Sequence, residues 1–310
     1  MALPPDPQTP RQAADLIRAG KLCAIPTETV YGLAGDAANS DAVLSIYETK
    51  GRPRFNPLIC HCADIAMAET LAIFDARAKM LAEHFWPGPL TLVLPLRDGA
   101  RISDLVTAGL GTVALRIPDH PLARAVIEAV GRPLAAPSAN PSGQLSPTTA
   151  EHVRQAFGGA VPVLDGGPCI AGVESTIVAL EEGGAVLLRP GALPAEEIEA
   201  VLGQALDRAT PGAAIAAPGM MASHYAPRAL LRLDAEAAQP GEAWLGFGPD
   251  SGEGLNLSPK GDLREAARNL FGYLARLDAQ GAARIAVAPI PETGLGEAIN
   301  DRLRRAAAPR

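Results

Sequence analysis

Short apolar runs alternate with segments of helical periodicity over the first two-thirds of the chain, a pattern typical of an α/β domain. Eight of these runs are candidate strands, and they begin near Leu22, Leu58, Leu90, Thr112, Pro133, Val161, Ser175 and Ala185. So many strands within about two hundred residues predict one large, twisted mixed sheet with flanking helices, rather than a regular βαβ repeat.

Three segments between these strands carry helix signals. The first covers residues 41–50, with Asp41 as its N-cap, and the second surrounds residues 79–85. The third opens on the sequence TTAE at 148–151, which fits a capping box, and is closed by the glycine pair at 158–159. We expect these segments to be flanking helices of the sheet.

A change of composition after residue 205 divides the chain. The stretch 206–228 is rich in Ala, Pro and Gly without a clean period, so it predicts a linker that is longer than most ordinary loops. Beyond it, two candidate strands and two candidate helices, one with a clear apolar stripe, predict a smaller, Rossmann-like α/β domain over 229–310. The expected organisation is a first domain over 1–205, the linker, and this second domain.

Composition and charge narrow the class of protein. Apolar residues make up 48% of the chain and charged residues 20%, which is ordinary for a globular protein with a large core. We find no run of about 18 apolar residues and no secretion signal, so we expect no membrane span and a cytoplasmic location. The formal charge of −7 disfavours a protein whose main task is to grip nucleic acid, although it permits a local basic pocket for a small anion.

The four cysteines are too scattered for a disulfide framework or a paired CxxC site. The sequence Cys60-His61-Cys62 suggests a metal site, but successive side chains of a strand point to opposite faces. Both cysteines would then share one face with Leu58, and His61 would lie on the other. We therefore interpret the cysteines as small core residues and expect no metal site there.

The familiar nucleotide and hydrolase motifs are missing. The chain has no GxxxxGK[ST], no GxSxG and no HExxH sequence. Three glycines at 246–252 follow a candidate strand, but Pro249 interrupts them and the next helix begins only near Asp262. A dinucleotide fingerprint needs its helix to open at the glycines, so we reject that interpretation.

Four polar segments remain as candidate chemistry. They are PTETVYGLAGDA (26–37), KGRPRFNPLICHC (50–62), RPLAAPSANPSGQLSPTTAE (132–151), and GVEST (172–176) with Arg189 of LLRPG. Each alone could be a polar turn, a solvated basic turn or a flexible loop. Together they supply hydroxyls, glycines and cations without an acyl nucleophile, which suits the binding of a polyanion in phosphoryl or nucleotidyl transfer.

In this order and spacing, the four segments resemble the YrdC-like threonylcarbamoyl-AMP synthase family in its longer, two-domain form. The likeness extends to WPGPLTLVLP, TVALRIPDHP, the linker sequence PGMMASHYAP and the terminal GLGEAINDRLRRAA, and so covers nearly the whole chain. The resemblance implies a YrdC-like α/β twisted open sheet followed by the smaller domain.

The resemblance also implies a reaction. L-threonine, bicarbonate and ATP would give L-threonylcarbamoyl-AMP and pyrophosphate, with Mg²⁺ bridging the phosphates. The product would feed a downstream tRNA threonylcarbamoyl transferase, which modifies the adenosine beside the anticodon. No stable nucleic-acid binding by this chain is expected.

Site residues follow from the resemblance by position. Those implied for threonine are Thr29, His61, Arg116, Ala136 and Ser175. Those implied for ATP are Lys50, Arg52, Asn56, Thr112, Ser138, Asn140, Ser146, Arg189 and Tyr225. Lys50 and Arg52 are the implied catalytic pair at the phosphates, and Tyr225 of the linker would close over the nucleotide.

Two other functions stay open. A basic concavity in a related fold could bind RNA, although the net charge and the few aromatics argue against it. A carbamoyl transferase of metallocentre maturation is the second, but it is expected to carry zinc-finger cysteines that four scattered cysteines cannot provide. The second domain has no reactive constellation of its own, so we expect it to act through the linker as a lid.

Overall fold

The computed structural model describes residues 5–209, 217–218, 223–249 and 252–309. The predicted linker at 206–228 therefore lies partly outside the described residues. Within the described ranges, none of the helices combines the length and the apolar character that crossing a lipid bilayer requires.

The described residues 5–209 contain eight helices and nine strands. The helices are α1 (Pro10–Arg18), α2 (Ser40–Lys50), α3 (Ile65–Glu69), α4 (Ala76–Phe85), α5 (Asp104–Thr107), α6 (Pro121–Val130), α7 (Ala150–Phe157) and α8 (Ala195–Leu202). The strands are β1 (Cys23–Ile25), β2 (Gly32–Asp36), β3 (Ile59–His61), β4 (Leu90–Pro95), β5 (Thr112–Arg116), β6 (Leu134–Ala135), β7 (Thr176–Glu181), β8 (Gly184–Arg189) and β9 (Asp207–Arg208).

The nine strands form one sheet in the order β1-β2-β6-β3-β5-β4-β7-β8-β9. Three neighbouring pairs are parallel, namely β3 with β5, β4 with β7 and β8 with β9, whereas the other five are antiparallel. The prediction of one large mixed sheet is confirmed. Several strands end near one another at the same side of the sheet, which is where loops can converge on a ligand.

Two helices that the sequence analysis missed, α1 and α6, pack against each other over one part of this sheet. Both begin with a proline in the first turn, and Thr9 caps α1 by accepting a hydrogen bond from the Gln12 backbone amide. Proline fits the first turn because its missing N–H would lack a partner there anyway. Ile17 and Ile127 belong to one hydrophobic cluster beneath these helices.

Two predicted helix starts were wrong by one or two residues. α2 is capped by Asn39, whose side chain accepts from the amides of Asp41 and Ala42, so Asp41 lies inside the first turn. α7 is capped by Thr149 rather than Thr148, which moves Glu151 too close to the cap to complete a capping box. The predicted end at the glycine pair is confirmed, because Gly158 is the left-handed C-cap.

Two strand predictions also need correction. The run at Val161–Asp165 forms only an isolated bridge between Val163 and Ala24, and its carbonyls and amides serve β1 without making a strand of their own. Conversely, Gly32–Asp36, interpreted as part of a polar turn, is strand β2 and is entirely buried. Glycine and aspartate weaken a strand signal in the sequence, but here packing on both faces decides the conformation.

The second domain has a four-stranded parallel sheet in the order β10-β13-β11-β12. Its elements are β10 (Leu230–Arg232), β11 (Ala243–Gly246), β12 (Leu255–Asn256), α9 (Leu263–Ala279), β13 (Arg284–Val287) and α10 (Leu295–Ala307). The predicted apolar stripe of α9 is buried in this domain, with Leu270, Phe271 and Leu274 nearly inaccessible. The prediction of a smaller α/β unit is confirmed.

The two domains share a hydrophobic cluster. Val30 and Val173 of the first domain are buried together with Phe271 of α9 and Leu303 of α10. Gly172, beside Val173, has φ +76°, and a Cβ there would lie 2.3 Å from the Arg268 Cα of α9. The backbones of the two domains therefore approach each other as closely as only glycine permits.

We expect Gly172→Ala to weaken this interface more than a comparable glycine change elsewhere. Gly167 is the matched control, because its φ is +79° but nothing lies within 4 Å of an added Cβ. Gly167→Ala should cost about 1 kcal/mol for the left-handed backbone alone, whereas Gly172→Ala should cost ~3 kcal/mol or more because α9 must also move. Denaturant unfolding of both variants measures the difference, and equal midpoints would contradict the close approach.

Candidate active site

A cavity opens where β3, β5, β7 and β8 meet the connections around β2 and β6. Its walls come from all four polar segments of the first domain and from described parts of the linker. A concave site lined by polar groups from several chain segments is a candidate substrate site.

The five residues predicted for threonine all line this cavity. His61 ends β3 and Arg116 ends β5, and the two are direct register partners in the parallel pair. Thr29 lies in the connection before β2, Ala136 follows β6, and Ser175 precedes β7. Residues from five different chain segments thus converge at one place, although their binding roles remain predictions.

Arg116 has a carboxylate partner that the sequence analysis missed. Its Nη2 donates to Glu28 Oε1 at 2.5 Å, and its Nε donates to the Gly88 carbonyl at 3.2 Å. Both side chains are at most 5% exposed. Glu28 Oε2 is buried without a hydrogen-bond partner in the described part of the chain. The pair places a fixed guanidinium at the cavity wall, where it can recognise a carboxylate through two parallel hydrogen bonds.

His61 is a neutral histidine in this cavity. Burial, together with the positive charge of Arg116, lowers its pKa to about 3. Its Nδ1 has no hydrogen-bond partner within the described residues. A neutral imidazole beside a guanidinium can bind a polar ligand group without adding charge to the site.

We expect His61 to stay neutral throughout the physiological range. Its folded-state pKa of about 3 lies below the unfolded value, so the unfolded chain binds more protons between these values. Stability should therefore fall as pH drops below about 6.5, with a slope from this residue of up to ~1.4 kcal/mol per pH unit. Imidazole NMR signals, assigned with His61→Gln, should show no titration of His61 from about pH 5 to pH 8. A midpoint within that range would contradict the burial argument.

Four of the nine residues predicted for ATP line the same cavity, and five do not. The lining residues are Arg52, Ser138, Arg189 and Tyr225. The others are Lys50, Asn56, Thr112, Asn140 and Ser146, of which all but Thr112 are buried close behind the wall. Thr112 begins β5, at the opposite end of that strand from Arg116. Its predicted contact with ATP therefore has the least geometric support of the nine.

Arg52 is fixed from behind by its own loop. Its Nη2 donates to Asn56 Oδ1 at 2.6 Å and to the Pro57 carbonyl at 2.8 Å, and its Nε donates to the Asn56 carbonyl. Burial lowers its pKa to about 10, which leaves the guanidinium charged at neutral pH. Arg54, two residues further along the same loop, is exposed. The basic loop thus contributes one buried cation to the cavity.

Lys50 supports the cavity wall instead of lining it. Its Nζ donates to the carbonyls of Ser138 at 2.6 Å and Asn140 at 2.5 Å, and burial lowers its pKa well below the usual value. The Lys50 carbonyl in turn accepts from the Ser142 amide. These bonds hold the loop that carries Ser138 at the end of α2. The predicted catalytic role of Lys50 remains a prediction, and this geometry adds a positioning role to it.

Arg189 joins the two predicted halves of the site. Its guanidinium donates to the Ser175 carbonyl at 2.9 Å and to Ser175 Oγ at 3.2 Å, and Nη1 reaches the Pro218 carbonyl. Ser175 Oγ also bonds Thr91 Oγ at 2.7 Å. A residue predicted for threonine and a residue predicted for ATP are therefore in direct contact.

The described linker residues Pro218, His224 and Tyr225 line the cavity. Tyr225 is 1% exposed and has φ +60°, a conformation that is costly for a tyrosine. Its hydroxyl and His224 Nδ1 lack hydrogen-bond partners in the described ranges. Burial lowers the pKa of His224 to about 3. Two buried polar groups without partners at a cavity wall are available for a ligand.

Glu174, the acid of the GVEST segment, lines the cavity and is, after Glu28, the second acid that the sequence analysis missed. It is 6% exposed, its Oε1 accepts from Ser146 Oγ, and its Oε2 accepts from Arg302 Nε at 2.7 Å. Burial alone would raise its pKa, but the neighbouring charges of Arg302 and Arg189 lower it to about 2. The sequence indication for this acid is its position in the GVEST segment, between the apolar Val173 and the hydroxyl-bearing Ser175.

The cavity carries an excess of positive charge. Among the described residues of its wall, three are arginines, Arg52, Arg116 and Arg189, and one is an acid, Glu174. Cys60 and Cys62 pack in the main hydrophobic cluster with Leu58, which confirms the interpretation of the cysteines as core residues. Within the described residues, no group of three His, Cys, Asp or Glu side chains could hold a metal ion. The arrangement suits an anionic ligand bound by position and charge.

Comparisons with known proteins identify one family over both domains. A family model described as "Telomere recombination" matches residues 15–191, and one described as "Threonylcarbamoyl-AMP synthase, C-terminal domain" matches residues 193–308. The threonylcarbamoyl-AMP synthase of Pyrococcus abyssi is 44% identical over an alignment of 319 positions, which covers 96% of this chain and 93% of that protein. The Bacillus subtilis enzyme of the same name is 43% identical over 98% of this chain and 94% of its own length.

A solved structure extends the likeness to three dimensions. The crystal structure of P. abyssi Sua5 complexed with L-threonine matches with a TM-score of 0.88 at 42% identity, over 96% of this chain and 94% of that one. Both the sequence and the fold are thus shared over nearly the full length. The chain belongs to the threonylcarbamoyl-AMP synthase family, in its two-domain form.

Proposed function

We propose that this chain converts L-threonine, bicarbonate and ATP into L-threonylcarbamoyl-AMP and pyrophosphate. The observation that carries the proposal is the convergence of Arg116 and His61 with Arg52 and Arg189 in one cavity. The first pair suits an amino acid and the second a polyphosphate. Arg189, which contacts Ser175, joins the two halves, so both substrates can lie side by side.

The threonine half binds an amino acid by charge and shape. Arg116 donates to the carboxylate of threonine, and Glu28 keeps that guanidinium in place from behind. Neutral His61 and the hydroxyl groups of Thr29 and Ser175 offer hydrogen bonds to the remaining polar groups. Ala136 leaves room for the side chain.

The reaction needs no nucleophile from the protein. The amine of threonine and bicarbonate give a carbamate and water, and a carbamate oxygen then attacks the α-phosphorus of ATP. The bond between the α-phosphorus and the bridging oxygen breaks, and pyrophosphate leaves with its electron pair. Arg52 and Arg189 are placed to stabilise the charge that develops on the phosphate oxygens.

An ATP-using synthase implies a divalent metal ion, and we propose Mg²⁺ that enters with the nucleotide. Both oxygens of Glu174 are engaged by Ser146 and Arg302, so the wall offers few carboxylate ligands of its own. Mg²⁺ keeps several waters and uses substrate phosphates as ligands, which fits such a wall.

The product is a reactive mixed anhydride, and we propose that a downstream tRNA threonylcarbamoyl transferase consumes it. The excess of acidic residues in the chain supports the expectation that no nucleic acid is held stably. Use of ATP and supply of a tRNA-modifying enzyme also fit a cytoplasmic location. Coverage of the cavity by His224 and Tyr225 supports the linker as a lid that shields the carbamate and the adenylate from water.

The test is pyrophosphate release from ATP with Mg²⁺, with L-threonine and bicarbonate added separately and then together. Release that requires both substrates, together with a product of the mass of threonylcarbamoyl-AMP, is the expected result. Release that is indifferent to threonine would overturn the proposal. RNA binding, tested by the salt dependence of affinity, or carbamoyl transfer would then be the function to test.

A further inference from the structure

Arg302 is a buried cation of the second domain that reaches the active-site cavity of the first. It lies on α10 and is only 1% exposed. Its neighbours on the helix, Arg304 and Arg305, are more accessible and pair with Glu292 and Asp301. A fully buried arginine at a domain interface requires partners, and those partners identify its role.

The Arg302 guanidinium contacts three separate parts of the site. Nε donates to Glu174 Oε2 at 2.7 Å, and Nη1 donates to the Pro190 carbonyl at 3.0 Å, next to Arg189. The guanidinium carbon lies 4.9 Å from the ring centroid of Tyr225. Nη1 is also held at 2.6 Å by Asp301 of the same helix. One side chain thus connects the GVEST segment, the end of β8 and the linker.

Glu174 connects Arg302 to Ser146, a residue of the nucleotide half. Its second oxygen accepts from Ser146 Oγ, and its backbone carbonyl accepts from the Ala192 amide. Because both carboxylate oxygens are used, the orientation of Glu174 depends on Arg302 on one side and Ser146 on the other. Loss of Arg302 would leave a buried carboxylate with one hydroxyl partner, and the side chain would have reason to turn toward the remaining cations.

Stabilisation of the domain interface alone would not require a buried guanidinium at this position. Arg302 Nη2 is buried without a hydrogen-bond partner in the described residues, and a well-packed apolar side chain often stabilises an interface at least as well as a buried ion pair. An arginine whose hydrogen bonds and ring contact, apart from the bond to Asp301, all go to cavity-forming segments points to positioning. The same guanidinium face also packs on the ring that lines the cavity.

We propose that Arg302 is a positioning residue for the nucleotide half of the site. It makes that half depend on docking of the second domain, because it fixes Glu174, through Glu174 the hydroxyl of Ser146, and the ring of Tyr225. The inference rests on the proposed function for its assay. It goes beyond that function because it assigns the second domain a direct electrostatic contact with the site, in addition to the contact that the linker makes.

The test compares Arg302→Gln and Arg302→Lys with the matched control Arg304→Gln in the full-length chain. Arg304 lies on the same helix and pairs with Glu292 at the surface. We expect KM for ATP to rise about tenfold or more in Arg302→Gln, KM for L-threonine to change less than about twofold, and Arg302→Lys to recover part of the loss. Arg304→Gln should match the unaltered chain.

A pH profile separates positioning from simple structural support. Glu174 is faced by Arg302 of α10, Arg189 at the end of β8, Lys50 at the end of α2, and His224 and Tyr225 of the linker. With a pKa of about 2, it stays ionised at every usable pH in the unaltered chain. Without Arg302 the pKa of Glu174 rises, because a neighbouring positive charge is lost. The KM for ATP of Arg302→Gln should therefore increase as pH falls from about 8 to about 6. The unaltered chain and Arg304→Gln should show no such change.

The outcomes distinguish the two proposals. If the unaltered chain releases no threonine-dependent pyrophosphate, the proposed function fails, and binding of an ATP analogue measured by calorimetry tests Arg302 alone. If the unaltered chain is active but Arg302→Gln and Arg304→Gln have equal KM for ATP, the inference is overturned. Equal loss toward ATP and threonine without a pH effect would also overturn it, because general loosening of the interface predicts that pattern.

If Arg302→Gln fails to fold, a double-variant cycle built on Arg302→Lys replaces it. Glu174→Gln removes the buried negative charge, while its amide oxygen can accept from residue 302 and its amide N–H can donate to Ser146 Oγ, and it can be combined with Arg302→Lys. If the two residues act as one unit, the double variant should raise KM for ATP by less than the product of the two single effects. A full product would contradict the coupling.

Discussion

Arg116→Lys is expected to lower kcat/KM for L-threonine by about 100-fold, because the lysine keeps the charge but loses the planar guanidinium. Lysine can still pair with Glu28, so the buried carboxylate keeps a cation beside it. What is lost is the second, parallel hydrogen bond to the carboxylate of the substrate, together with the Nε contact to the Gly88 carbonyl. Steady-state kinetics with threonine varied at saturating ATP and bicarbonate measure the effect.

The control for this prediction is Arg132→Lys, since Arg132 pairs with buried Asp36 but is itself half exposed. KM for ATP should stay within about twofold in both variants, because Arg116 is predicted to bind threonine and not ATP. Removal of the charge in Arg116→Met should instead destabilise the fold by ~3 kcal/mol or more, since Glu28 would be left buried and unpaired. A threonine dependence unchanged in Arg116→Lys would remove this arginine from the site.

Arg52→Gln is expected to raise KM for ATP by about 100-fold or more, with a parallel fall in kcat if the guanidinium also stabilises the departing pyrophosphate. The loop offers a matched control in Arg54→Gln, because Arg54 belongs to the same basic sequence but is exposed. Comparison of the two variants therefore separates the effect of one buried, oriented charge from the effect of the overall positive charge of the loop.

Salt dependence gives the second measurement for this pair. The Arg54 charge is screened by solvent, so its small effect should vanish at about 0.5 M salt, whereas the effect of Arg52 should persist. Equal losses in the two variants at low salt would mean that the loop acts only as a diffuse positive surface. That result would contradict the pocket contact of Arg52.

The fold was largely predictable because apolar periodicity reports burial directly. The runs at β3, β4, β5, β7 and β8 are continuous and buried, and the sequence analysis found each of them. β2 was missed since Gly32–Asp36 has weak intrinsic strand preference and is held in place by neighbours. The caps at Asn39 and Thr149 were misassigned because adjacent polar residues compete for the same role, and the final choice depends on tertiary packing.

Site residues could be predicted only where a suitable residue type lies within one of the motifs that carry the family resemblance. The hydroxyls and arginines of the four polar segments converge, and nine of the fourteen residues predicted to bind threonine or ATP line the cavity. The acids were missed because their partners are distant in sequence. Glu28 and Arg116 are 88 residues apart, and Glu174 and Arg302 are 128 apart. A single chain carries no local signal for such pairs, since only the fold brings them together.

The position of Arg302 in α10 has a consequence for protein synthesis. Domains generally fold as units while the chain emerges from the ribosome, and α10 follows every other described helix and strand. Until α10 is made, Glu174 lacks its arginine and Tyr225 lacks the cation beside its ring. If Arg302 positions the predicted nucleotide side of the cavity, a nascent or prematurely ended chain would possess the large sheet and the cavity arginines of the first domain, yet hold Glu174 and Tyr225 without the partner that orients them. The order of synthesis would then make the positioning of this side of the cavity a late step.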